Sequence, residues 1–184
     1  MTLIQLSLRV HNTCMPPDLG PSEVKRSLPS FGEEQLEDLE RYLSEIVEPT
    51  VEDFRRQPSS VRVGFLACVA IDHSVDYLAF PADRAKWDGK EHRSRRAELR
   101  RQFCEANEHF HLASEAANAF KHVKTVTLRS LEVSQVYERP PAMAGRMMTG
   151  VSMLGDTTGA VVVDGHDLLK VVTEALRFLR SKTK

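Results

Sequence analysis

Between Leu99 and Phe120 apolar residues recur without a gap: Leu99, Phe103, Ala106, Phe110, Ala113, Ala117 and Phe120, at spacings of 4, 3, 4, 3, 4 and 3. An α-helix returns side chains to one face at that interval, so the stretch predicts a single long helix with a continuous seam. Alternation of Phe with Ala lets a neighbouring helix approach closely. The candidate neighbour lies between Pro58-Ser59-Ser60 and Pro81 and is apolar nearly all round: Val61, Val63, Phe65, Leu66, Val69, Ile71, Val75, Leu78 and Phe80. A helix of that kind is central in its domain.

Upstream, Leu36, Leu39, Leu43, Ile46, Val47, Val51 and Phe54 form another helical face. Ser30 and Glu33 have the spacing of a capping box, and Pro49 should break or kink the helix just before it. Downstream, Val126, Leu128, Val133 and Tyr137 are β-compatible, and Arg146 to Leu154 reads as a further strand. Gly155 to Gly159 reads as a hairpin turn and Ala160 to Val163 as the strand returning from it. Leu168, Leu169, Val172, Leu176 and Leu179 mark a final amphipathic helix. Strands and helices do not alternate, so the expected fold is mainly α (α+β): a helical core, a small antiparallel β appendage and a C-terminal helix. Residues 1–32 read as an arm with a short strand and a Pro-rich irregular loop. Residues 33–184 read as one helical domain with a β-hairpin insertion near 124–163.

With 184 residues, 41% of them hydrophobic, the chain can bury a core. A formal net charge of −1 favours neither nucleic acid nor membrane as a bulk partner. The charge is segregated, however. Glu33 to Asp53 holds nine carboxylates against Arg41, and Arg84 to Arg101 holds eight cations against three carboxylates. Pairing or mutual solvation on a surface is their simplest relation. Cys14, Cys68 and Cys104 are too far apart for a C-x-x-C site, and an odd count suggests a reducing compartment. Met1 to Val10 lacks the features of a secretory leader, and Val61 to Ile71 is too short to span a bilayer. These features predict a soluble cytoplasmic protein with no membrane partner and no cofactor motif.

Two clusters could carry chemistry. His111, Glu115, Asn118 and His122 form one polar stripe beside the apolar seam, with Glu105 and His109 as a nearby i, i+4 pair. His111, Glu115 and His122 could hold a divalent metal, or the stripe could be a hydrogen-bonded structural seam. Asp72, His73 and Asp76 interrupt the apolar helix. Polar groups there require partners, which makes them a supporting polar network or part of a site. The basic segment carries one aromatic residue, Trp87, so Arg93, Arg95, Arg96, Arg100 and Arg101 form a solvated or paired face unless they contact nucleic acid. Gly155 to Gly159 lacks the G-K-[ST] of a phosphate loop.

The stretch Glu115 to His122, Glu-Ala-Ala-Asn-Ala-Phe-Lys-His, resembles an uncharacterised bacterial helical family in which a helix ends in Ala-Asn-x-x-Lys-His. More remotely, the Asn118-to-His122 spacing resembles the HEPN superfamily, helical domains that include ribonucleases of defence and toxin systems. That resemblance implies catalysis by His122 with Asn118 and Lys121 assisting, on RNA. Ala117 stands where the superfamily carries an arginine, which removes the group that would bind phosphate. Three readings stay open: a non-catalytic helical interaction module that binds a protein partner or self-associates, a HEPN-like RNA-processing ribonuclease, and a metal-dependent hydrolase.

Overall fold

The helix expected behind Ser60 forms as α3 (Val61–Ala79) in the computed structural model, which describes residues 31–80, 88–121 and 136–183. The Ser60 hydroxyl oxygen accepts from the Val63 N–H, capping the helix. Val63, Ala67, Cys68, Ile71, Val75 and Leu78 are buried, and α3 packs against each of the other helices. Leu66 is exposed, so one edge of this helix reaches the surface.

Helices α1 (Glu33–Tyr42) and α2 (Glu48–Arg56) run on through one π turn, Leu43–Val47. The break expected at Pro49 is absent. Proline clashes with the carbonyl four residues before it and offers no N–H, and the wider π turn relieves both problems immediately upstream. The start of α1 also differs from expectation. Gly32 is the N-cap, and its N–H donates to Gln35 Oε1 at 3.1 Å. Gln35 is itself buried, and its amide donates to Leu78 O at 2.9 Å, tying the start of α1 to the end of α3.

The seam from Leu99 to Phe120 is not one helix. α4 (Gly89–Ala106) and α5 (Glu108–Lys121) are separated by Asn107, whose backbone is extended. Asn107 Oδ1 accepts from the Phe110 N–H at 2.8 Å, so a side-chain cap ends one helix and opens the next. Most of the seam still faces the core, since Leu99, Phe103, Phe110, Ala113 and Ala117 are buried, but Ala106 at the end of α4 is exposed. The Phe103 ring meets Phe110 and Phe178 edge-on, with centroids 5.4 and 5.3 Å apart.

Strands β1 (Val136–Arg139), β2 (Ala160–Val163) and β3 (His166–Asp167) form a small antiparallel sheet in that order. Val136 pairs with Val163, Arg139 with Ala160 and Val162 with Asp167. All four residues of β2 are buried, and Val161 N–H donates to Pro58 O, joining the sheet to the turn before α3. The strand expected over Arg146 to Leu154 is instead a run of turns, because Gly145 and Gly150 adopt positive φ and break extended backbone. α6 (Leu168–Arg180) closes the fold with Leu168, Val171, Val172, Ala175 and Leu179 inward. Its N-cap is Asp167, which accepts from the N–H groups of Leu169 and Lys170. The fold is thus mainly α with a small antiparallel sheet and a C-terminal helix. Residues 1–30, most of the N-terminal arm, lie outside the described residues, as does the β-compatible stretch Val126 to Val133.

Gly64 marks a close helix contact. A Cβ there would sit 2.9 Å from both Leu168 Cδ2 and Phe54 Cζ, and both neighbours are fully buried. Gly64→Ala should therefore destabilise the fold by about 1–3 kcal/mol, read from the urea midpoint, despite the better helix propensity of alanine. An unchanged or raised midpoint would show that α2 and α6 can move apart at no cost.

Candidate functional site

The three polar residues inside α3 go to different places. Asp72 is fully buried and faces α4 and α5. Arg100 Nε and Nη2 donate to its two carboxylate oxygens at 2.8 and 2.9 Å, a bidentate fork, and Ser114 Oγ donates to Oδ1 at 2.6 Å. Asp76, one turn on, receives Arg96 at 3.4 Å. His73 is about 100° around the helix from Asp72 and is exposed on another side. It lines a cleft of about 380 Å³ with Tyr42, Ile46, Arg62 and Leu66. In that cleft the Tyr42 hydroxyl donates to Ala70 O at 2.9 Å and its ring stacks on Tyr77 at 4.2 Å. Burial, and then the neighbouring Tyr77, Asp76 and Asp72, push the Tyr42 phenol well above its ordinary pKa.

On α5, His111, Glu115 and Asn118 are half-buried, and Ala117 is fully buried. Lys121 is the last residue of α5, and His122 lies outside the described residues. The triad His111, Glu115 and His122 and the set His122, Asn118 and Lys121 both include His122 and so lie partly outside the described residues. Among the described residues no group of three His, Cys, Asp or Glu is placed to hold a metal ion. Glu105 and His109 sit on different helices, because the break at Asn107 falls between them, and Glu105 pairs with Arg101 instead.

Of the six described cations of the basic segment, three are engaged within the chain. Arg100 and Arg96 bind the aspartates of α3, and Arg101 bonds Glu98 and Glu105 of its own helix. Among the described residues Arg93 and Arg95 are exposed and enter no ion pair. The acidic helix does not meet this segment in any described ion pair. Its Glu40 and Glu48 are bridged by Arg180 of α6, and Arg180 holds the Glu40 carboxyl below its ordinary pKa. Two thiols lie near Asp72. Burial first, then the Asp72 charge, pushes Cys68 from 9.0 to about 12. Burial first, then the Glu115 charge, pushes Cys104 to about 11. Neither thiol is an activated nucleophile near neutral pH.

One surface escaped the sequence reading. The loop between β1 and β2 exposes Met143 (49%), Met147 (60%), Met148 (42%), Met153 (57%) and Leu154 (99%). Its neck is tied by ion pairs and hydrogen bonds. Arg139 bridges Asp156 at 3.3 Å and Asp167 at 3.5 Å, and Asp156 Oδ1 accepts from the N–H groups of Thr158 and Gly159. Gly159 has φ +73, and a Cβ there would lie 2.6 Å from Arg139 O, so only glycine closes the neck. The available signal was compositional: four of the six methionines fall between residues 143 and 153.

No protein-family profile, no curated protein and no solved structure matches this chain.

Two measurements test the Asp72 centre. Arg100→Met leaves a buried carboxylate without its cation and should cost roughly 3 kcal/mol, whereas adding Asp72→Leu should recover part of that loss. Equal stability of the single and double variants would contradict the pairing. The raised thiols give a second prediction. The folded protein keeps Cys68 protonated to about 12, while the unfolded chain releases the proton from 9.0 upward. The folded state is thus favoured below pH 9, and this contribution is lost as pH rises from 9 toward 12. Cys68→Ala should flatten the alkaline fall of the urea midpoint, and an identical slope in both proteins would refute the shift.

Proposed function

We propose that this chain is a non-catalytic interaction module that engages a protein partner through the methionine-rich loop of residues 142–154. The observation that carries the reading is the exposure of Met143, Met147, Met148, Met153 and Leu154 on a loop pinned at its neck. Only Arg146 in this segment is charged. Unbranched, polarizable methionine side chains adapt to varied apolar surfaces, which makes such clusters effective at binding helix faces. Exposed apolar side chains clustered in one loop are otherwise a liability to solubility. Apart from Ala106, the apolar seam from Leu99 to Ala117, the interface suggested by periodicity, faces the core, so docking falls to the loop.

Two further points support a non-catalytic reading over the RNA-cleaving one. Ala117, at the place of the superfamily arginine, is fully buried, so no side chain there reaches a phosphate. Three of the five arginines that would hold an RNA backbone are engaged with carboxylates of the chain itself. We place this module in the cytoplasm on its cysteine usage. Among the described residues no helix is long and apolar enough to cross a membrane.

The test is site-specific photocrosslinking in the cells that express the protein. A benzophenone side chain at Leu154 should yield one discrete adduct, the same probe at the exposed Arg55 should not, and Met148→Glu should remove the Leu154 adduct. An adduct of twice the chain mass would identify the partner as a second copy. Equal labelling from positions 154 and 55 would sink the reading.

A further inference from the structure

The sulfur atoms of the described residues divide sharply by environment. Cys68 is fully buried, and Cys104 is half-buried beside Ser114 and Glu115. Met143, Met147, Met148 and Met153 are each 42–60% exposed and fall within eleven residues. A thiol reacts with a two-electron oxidant only as its thiolate, which burial suppresses here. A thioether has no proton to lose and needs only access.

We infer that the loop is a methionine-oxidation site: peroxide-class oxidants convert Met143, Met147, Met148 and Met153 to sulfoxides and so release the partner. In each event a thioether sulfur lone pair attacks one peroxide oxygen and the O–O bond breaks. Sulfur keeps that oxygen, and after a proton shift the remainder leaves as water from hydrogen peroxide or as an alcohol from an organic hydroperoxide. Sulfur loses two electrons and the peroxide gains them. The product is a polar, hydrogen-bond-accepting side chain where the partner requires an apolar one. This consequence rests on the docking role proposed for the loop.

The geometry confines the change to the surface. The neck is held by Arg139, Asp156, Asp167 and Gly159, none of which carries sulfur. The turns within the loop are held by backbone bonds, Met147 N–H to Met143 O at 3.0 Å and Asp156 N–H to Met153 O at 3.0 Å. Oxidation therefore alters what the loop presents while its frame stays in place. Methionine sulfoxide reductases reverse the reaction, which makes the site resettable.

The experiment uses the full chain with benzophenone at Leu154, treated with hydrogen peroxide and mapped by peptide mass. One oxygen should appear on each loop methionine before any appears on Cys68 or Cys104, with the thermal midpoint unchanged. Crosslink yield should fall about tenfold or more, as expected for polar groups desolvated without partners, and should return after reductase treatment. A chain with all four loop methionines changed to leucine keeps an apolar loop that cannot be oxidised, so its crosslink should survive peroxide. Oxidation of the cysteines first, or unfolding alongside sulfoxide formation, overturns the inference. A full-strength crosslink from the sulfoxide form overturns the inference and leaves the docking role standing. No crosslink even before treatment overturns the docking role, and the inference with it.

Discussion

A carboxylate at the centre of a helical core demands compensation, and the arrangement of this protein follows from how Asp72 obtains it. Left alone, a buried ionised group would cost far more than a domain of this size can tolerate. Here the guanidinium of Arg100 matches both oxygens and the Ser114 hydroxyl supplies a third bond. Residues 100 and 114 would stand about 21 Å apart along one continuous helix, too far for both to reach a single carboxylate. The break at Asn107 turns α5 back so that both do. The helix break, the register of α3 against α4 and α5, and the Phe103, Phe110 and Phe178 cluster are thus parts of one solution.

That solution determines what remains for the surface. Most of the apolar seam lies inside, and most of the arginines of α4 are held by carboxylates of the chain. Among the described residues, exposed large apolar side chains gather at the methionine-rich loop and at the cleft edge, where Ile46 and Leu66 are about half exposed, with Phe80 and Tyr137 exposed elsewhere. The loop has the more defined frame, because Arg139 gathers Asp156 and Asp167 while Asp167 also caps α6.

Charge segregation along the chain has a different meaning in three dimensions. The acidic helix and the basic segment read as complementary poles, yet among the described residues the ion pairs of each run elsewhere. Arg180 bridges Glu40 and Glu48, and the aspartates of α3 take Arg96 and Arg100. The exposed members of these pairs contribute little each, whereas the buried Asp72 pair governs how the helices assemble.

Much of the framework was legible in the residues themselves. The bounds of α3, the turn before β2, the inward face of α6 and the mainly α class all follow from periodicity and from proline, glycine and serine at the ends of elements. These are local properties, since side-chain spacing and backbone preference act within a few residues. Other features depend on neighbours distant in sequence. A continuous 4, 3, 4, 3 pattern cannot distinguish one helix from two that bury the same face, so the role of Asn107 was hidden. Asp72, His73 and Asp76 look like one cluster in the chain, but the helix sends His73 to the cleft and the aspartates to α4. The run from Arg146 to Leu154 reads as a strand until Gly145 and Gly150 take positive φ and leave the methionines outside. The sequence alone determined which segments become helices and which faces are apolar, because those choices are made within a turn or two of the chain. Only the tertiary structure decided which polar groups share a carboxylate and which apolar ones remain in water, because burial depends on what other segments bring to the same place.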